Sequence, residues 1–220
     1  MKRQSKPNRP AVAMIELIFA IVIMGFVLMS APTLISTATK SGYVASQQEA
    51  INEAASQVNM ILGYHWDENS ADERFIDPIL KVTSGNSDLD EVNTTNRRLG
   101  TPPESYRTFA RADGAIFNAS SLGSDSGDRD DVDDFSGESR LVKIEDSTAD
   151  YIEKGTIKMT TTIHYTQDSS PFTNSSGTTN IKSITTTLTS ESGLGELDKT
   201  ITLKAFSCNI GGYSLEERDF

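Results

Sequence analysis

The chain is poor in cysteine, histidine, aromatic rings and basic residues, and each shortage removes a class of explanation. One cysteine, Cys208, in 220 residues leaves no intrachain disulfide to staple the fold, so stability must come from packing, docking or a metal. Cys208 has no thiol partner and no nucleophile motif around it, and reads as a half-buried strand residue. The two histidines, His65 and His164, stand far apart and in no metal-ligand or catalytic spacing, which makes them ordinary surface or strand residues. Twenty Lys and Arg against 31 Asp and Glu give a net charge of -11. So acidic a surface repels a phosphate backbone, and no basic stripe with interleaved aromatics offsets it, which excludes nucleic-acid binding. Gly-rich phosphate loops, a nucleophile elbow and a paired-carboxylate signature are all missing, so the chain reads as non-enzymatic. Hydrophobic residues are 36% and aromatics 7%, and much of the apolar share is spent between Ala11 and Ile35. The rest must be polar, loop-rich and built on a thin core. The length suits one modest folded domain plus an appendage.

What the chain does have is concentrated at its start. Lys2, Arg3, Lys6 and Arg9, with no acid among them, precede a run from Ala11 to Met29 that is apolar at every position except Glu16. A cationic flank followed by such a run predicts membrane targeting with the N-terminus held in the cytoplasm. Val12 to Pro32 is 21 residues, and a helix of about 20 crosses a hydrocarbon core of roughly 30 Å. Glu16 is the anomaly, because a carboxylate near the membrane interior costs on the order of a few kcal/mol unless it is paired or reaches the interface. In an ordinary signal anchor its side chain would snorkel to water. A secretory signal cut after Ser36-Thr-Ala38 is a further reading, disfavoured because the run exceeds the roughly 7–15 residues of a usual signal core and contains an acid.

These residues resemble the type IV prepilins, whose short basic leader ends in a small residue followed by an apolar helix with Glu as its fifth residue. The segment Met14-Ile-Glu-Leu-Ile18 is similar to the family's consensus core, and Pro32 falls near the proline found early in many pilins. The resemblance covers about the first fifth of the chain. It implies cleavage by a prepilin peptidase between Ala11 and Val12, although Ala11 and Val12 stand where the family usually has Gly and Phe. It also implies N-methylation of Val12 and assembly through Glu16, which would neutralise the new α-amino group of a neighbouring subunit. Other pilin or pseudopilin subunits, the peptidase and an inner-membrane assembly platform are the implied partners. The implied location is the bacterial inner membrane, single-pass with a periplasmic C-terminal domain, and then a pilus or secretion pseudopilus.

Beyond Pro32, Leu34, Ile35, Ala38, Val44, Ile51, Ala54, Ala55, Val58, Ile61 and Leu62 approximate one face of a 3.6-residue period, which predicts a helix continuing to about Leu62. Gln47, Gln48, Glu49, Asn52 and Glu53 are left mainly toward water, and Gly63 is the stop signal. From Tyr64 a long polar region shows no period and reads as loops with short helical or strand pieces. Three stretches rich in Thr and Ile predict strands: 155–166, 179–189 and 199–208. In the first of these, Ile157, Met159, Thr161, Ile163 and Tyr165 share a face. The connectors 168–177 and 190–197 are too short and polar for crossover helices, so the strands should form an antiparallel meander. The expected fold is α+β: a long N-terminal helix, membrane-spanning first and amphipathic after, packed on a C-terminal antiparallel sheet, which is the pilin architecture. The expected segments are a leader over 1–11, a membrane helix over 12–32, its amphipathic continuation over 33–63 and a globular domain over 64–220.

Six aspartates fall in the eleven residues from Asp125 to Phe135. Ca²⁺ takes six to eight oxygen ligands from flexible carboxylates, which makes Asp128, Asp130, Asp131, Asp133 and Asp134 candidate calcium ligands, though the order of an EF-hand is absent. The same string, following Trp66-Asp-Glu68, is similar to minor pilins of the mannose-sensitive haemagglutinin type. The expected function is a minor pilin or pseudopilin. The alternative is a signal-anchored or secreted calcium-binding adhesion domain that does not polymerise.

Overall fold

The computed structural model describes residues 10–70, 77–89, 96–98, 107–111, 113–123, 127, 129–143, 156–190 and 199–212. Of the expected leader over 1–11, residues 1–9 lie outside them. The chain divides into two units, Met1–Gln47 and Gln48–Phe220, and helix α1 (Pro10–Ile61) contributes to both.

In the first unit α1 opens on a proline, whose fixed φ and missing N–H suit a first helical position. Its large apolar side chains from Met14 to Ile35 are all exposed, as Phe19, Phe26 and Met29 are at 64%, 69% and 78%. A helix apolar on every side needs a non-aqueous surround, and α1 is long and apolar enough to cross a membrane, with a mean hydropathy of 2.5 in its most apolar stretch. Pro32 sits inside the helix and removes one backbone donor. Ser30 and Thr33 beside it donate their hydroxyls back to the carbonyls of Val27 and Ser30, at 3.0 and 2.7 Å.

In the second unit the end of α1 buries Ala50, Ala54, Gln57, Val58 and Ile61, a stripe spaced by three and four residues. The burial starts later than the sequence periodicity implied, because Leu34, Ile35 and Val44 are exposed. Glu49, Asn52 and Glu53 face water as expected. The helix stops where Gly63 donates to Met60 O at 3.0 Å, tightening the last turn.

The sheet is antiparallel, in the order β1-β2-β4-β5. Its strands are β1 (Ser139–Lys143), β2 (Thr156–Gln167), β3 (Ser170–Asn174), β4 (Ile181–Ser190) and β5 (Ile201–Cys208). The three strands expected from composition are β2, β4 and β5, each within two residues of its expected start and one of its expected end. Two others were missed. The connector after Asp168 contains β3, which folds back on β2 with a register shift at Thr166/Gln167, and β1 pairs with the start of β2. Thr166 pairs with both Asn174 and Ile181, so β3 lies on the edge of β2 opposite β4.

Alternation sets what the sheet buries. Ile157, Met159, Thr161, Ile163 and Tyr165 of β2 are buried on one face, as expected. On β4 the matching row is Lys182, Ile184, Thr186 and Leu188, all buried. Ala50 and Ala54 of α1 pack with Ile157, Met159 and Leu188, and Val58 and Ile61 pack with Ile163, Ile184, Val132 and Phe135. The small alanines let the helix approach the sheet closely. A helix whose C-terminal part covers an antiparallel sheet is the α+β layout expected.

Candidate functional site

Two sites follow from these elements. The first is the start of α1. The backbone of Ala11 and Val12 lies in the helix, and the Ala11 and Val12 side chains lie outside the described part. Glu16 is exposed on α1 among Met14, Ile15, Leu17, Ile18 and Phe19, each more than half exposed. One carboxylate thus interrupts an otherwise apolar surface.

The second site is buried beneath the acidic loop. Val132 donates its N–H to His65 O at 2.9 Å and Asp131 bridges to His65, so the loop is tied to the segment that leaves α1. Val132 and Phe135 enter the core, and the flanking acids are drawn in with them: Asp131 and Asp133 are 0% and 2% exposed. On the other side of the tie, Trp66 packs with Leu80 and Tyr165, which carries Asp67 inside as well.

Lys182 answers these acids. Its ammonium nitrogen contacts Asp133 Oδ1 and lies 3.2 Å from Asp67 Oδ2, and its side chain is fully buried. The rings of Trp66 and Tyr165 flank it, 4.7 and 5.3 Å from Nζ. Asp67 also accepts from the N–H and Oγ of Ser120, both 3.0 Å from Oδ2, and from Asn69 N–H at 3.2 Å. The Tyr165 hydroxyl lies 3.1 Å from Asp67 Oδ2, and burial together with the neighbouring Asp67 and Asp133 charges pushes its ionisation far up. Asp133 Oδ2 accepts from Gly123 N–H at 2.7 Å.

The remaining loop carboxylates hold the turn itself. Asp131 Oδ1 accepts from the N–H of Asp133 and of Asp134, at 2.7 and 3.2 Å, while Asp134 Oδ2 accepts from the N–H of Asp130 and of Asp131, at 3.0 and 3.1 Å. Asp131 Oδ2 is buried without a hydrogen-bond partner. Burial, opposed by Lys182 and reinforced by Asp133 and Asp134, pushes the Asp131 carboxyl up to about 8. Burial thus favours its protonated form relative to an ordinary carboxyl.

The candidate calcium ligands that are described lie in a hydrogen-bonded turn. Among the described residues, no group of three acidic, His or Cys side chains is placed to hold a metal ion. Asp131 and Asp133 turn inward because their apolar neighbours are core residues, and a lysine supplies the positive charge. Asp130 and Asp134 belong to the same turn, and Asp128 lies outside the described residues. His65 meets Asp77 at 3.1 Å and His164 is exposed. Cys208 is half-buried, its thiol pushed up chiefly by burial, which is the opposite of an activated nucleophile.

Asp67 and Lys182 were missed by the sequence reading. Lys182 stands in the inward row of a period-2 strand with Ile184, Thr186 and Leu188, so alternation alone marks it as a buried cation. A buried cation calls for acids nearby.

Protonation of Asp131 has a pH signature. The unfolded chain ionises near the ordinary value of 3.8 while the folded chain holds its proton to about 8. Stability from this group is therefore intact below about pH 4 and is lost as pH rises to about 8, where the loss levels off. Asp131→Asn keeps the Oδ1 acceptor and carries no charge, so it is expected to flatten that decline. At about pH 9 it should exceed wild type by on the order of a few kcal/mol, several degrees in melting temperature. Melting curves that fall in parallel for both proteins over this range would contradict the assignment.

Compared with known proteins, the chain matches no family model, no curated protein and no solved structure.

Proposed function

We propose that the protein is a structural subunit of the type IV pilin or pseudopilin kind, cut after Ala11 and assembled through its N-terminal helix. The observation that carries the reading is Glu16, the single carboxylate in the exposed apolar stretch that opens α1 after a basic leader, and the fifth residue beyond the proposed cut. A charge there is costly in a membrane unless a partner charge arrives, and an α-amino group created at Val12 on a neighbouring subunit is such a partner. Two desolvated charges that offset each other on assembly give a reason for the acid that a plain anchor lacks. The sheet that covers the end of α1 supports the same reading, since it supplies a folded body for a subunit held by its helix.

Processing tests this. A peptidase pocket that accepts a small side chain beside the cut should reject a large cation, so Ala11→Arg is expected to accumulate as full-length precursor in cells that process the wild type. Maturation of Ala11→Arg at the wild-type rate would remove the assigned bond.

A further inference from the structure

The buried lysine is placed for chemistry that an ion pair does not need. Lys182 and Asp67 are completely buried and the Asp133 side chain is 1% exposed, so water does not compete for either end. Nζ touches one carboxyl oxygen of Asp133, and the other oxygen of that carboxyl is held by Gly123 N–H at 2.7 Å. A second carboxylate, Asp67, stands 3.2 Å from the same nitrogen. The Trp66 and Tyr165 rings flank the nitrogen. These are the parts of an amide-forming site: an amine, a carboxyl polarised by a backbone donor, a proton carrier and a dry enclosure.

We propose that Lys182 and Asp133 join in an intramolecular isopeptide bond, formed in the folded chain with Asp67 as the proton carrier.

The step balances without an external reagent. The Lys182 ammonium passes one proton to Asp133 Oδ1, the oxygen it touches, which leaves a neutral amine beside a neutral carboxylic acid. The nitrogen lone pair attacks Asp133 Cγ and the C–N bond forms, while Gly123 N–H steadies the negative charge gathering on Oδ2. Asp67 takes the second proton from the nitrogen and delivers it to Oδ1. The Cγ–Oδ1 bond breaks and that oxygen departs as water. Oδ2 remains as the amide carbonyl, Asp67 returns to its carboxylate, and no proton is exchanged with solvent.

Placement and charge both favour the product. The side chains are positioned by β4 and by a loop anchored through Val132 and Phe135, so the reacting groups are held together by the fold rather than by encounter. Two acids, Asp67 and Asp133, meet one lysine. Amide formation removes one pair of buried charges, whose desolvation is a standing cost. Asp67 keeps its charge against Ser120, Asn69 and Tyr165. The link would tie β4 to the acidic loop 49 residues earlier in a chain that has no disulfide to do so.

Peptide mapping of the full-length protein, purified in detergent and digested with trypsin, tests this directly. The expected product is a branched species in which 130–140 is joined to 159–199, lighter by one water than the sum of the two, because trypsin cannot cut after an acylated Lys182. Recovery of 130–140 as a free peptide, with cleavage after Lys182, from folded wild type would overturn the proposal, and this readout depends on no variant. Asp67→Asn, which preserves size and most hydrogen bonds, is expected to yield the two peptides unlinked. A branched species formed to the same extent in Asp67→Asn would overturn the role of Asp67. Asp131→Asn serves as the control, because it mimics the neutral acid and should link as wild type does.

Discussion

Replacing Lys182 by methionine is expected to destabilise the folded domain by about 3–5 kcal/mol, a large part of the roughly 5–15 kcal/mol that holds a typical domain together. The size of the effect comes from what is left behind. Asp67 and Asp133 are buried, and methionine, which can supply neither the ammonium nor the amide, leaves two uncompensated carboxylates in the core beside the Trp66 and Tyr165 rings. Asp67 retains Ser120 and Asn69, but Asp133 keeps only Gly123 among the bonds described. Methionine fills most of the lysine's volume, so the loss is electrostatic rather than a cavity. Adding Asp133→Asn to the methionine variant is expected to recover part of the stability by removing one stranded charge. Thermal or denaturant unfolding of the single and double variants measures this. A single variant as stable as wild type would mean that the lysine is not paired as described.

The second large effect is at the other end of the chain. On the proposed function, Glu16→Ala should leave membrane insertion intact or improve it, because a desolvation cost of a few kcal/mol disappears. Incorporation into filaments should fall by about tenfold or more, because the partner for a neighbour's amine disappears with it. Glu16→Gln should behave like Glu16→Ala, since it keeps the shape and loses the charge. Comparing membrane-fraction protein with sheared or secreted protein separates the two steps. Wild-type incorporation by both variants would leave Glu16 as an anchor residue whose side chain reaches the interface.

The two ends of the chain differ in how plainly the sequence declares them. α1 was legible because its signal is long and local: an unbroken apolar run needs no tertiary information to be recognised. β2, β4 and β5 were legible because each runs eight or more residues in which Thr, Ile and other β-formers recur. β1 and β3, five residues each, were not, since Ser139–Lys143 and Ser170–Asn174 contain few β-formers and exist because β2 offers them an edge. The start of the buried stripe on α1 was not legible for a related reason. Leu34, Ile35 and Val44 fit the helical period, yet period alone does not say where the sheet begins to cover a helix.

The acidic loop shows the limit most clearly. Asp130 to Phe135 reads as a solvated cluster of charge when only composition is weighed, and its density of carboxylates suggests a cation. The two apolar residues in the string draw it inward, because Val132 and Phe135 are buried and the backbone between them cannot stay outside. Their cation is Lys182, about 50 residues away in sequence and visible in advance only from the alternation of β4. Asp67 carried no signal of its own beyond following Trp66, which the core captures.

The account rests on the cut that would create an α-amino group at Val12 to meet the Glu16 carboxylate of a neighbouring subunit. Sequencing the N-terminal peptide of the protein recovered from membranes of the producing cell tests it most directly. The predicted result is a mature chain beginning at Val12 with a methylated α-amine. A mature chain that still begins at Met1, or one that begins at Thr39, would contradict it.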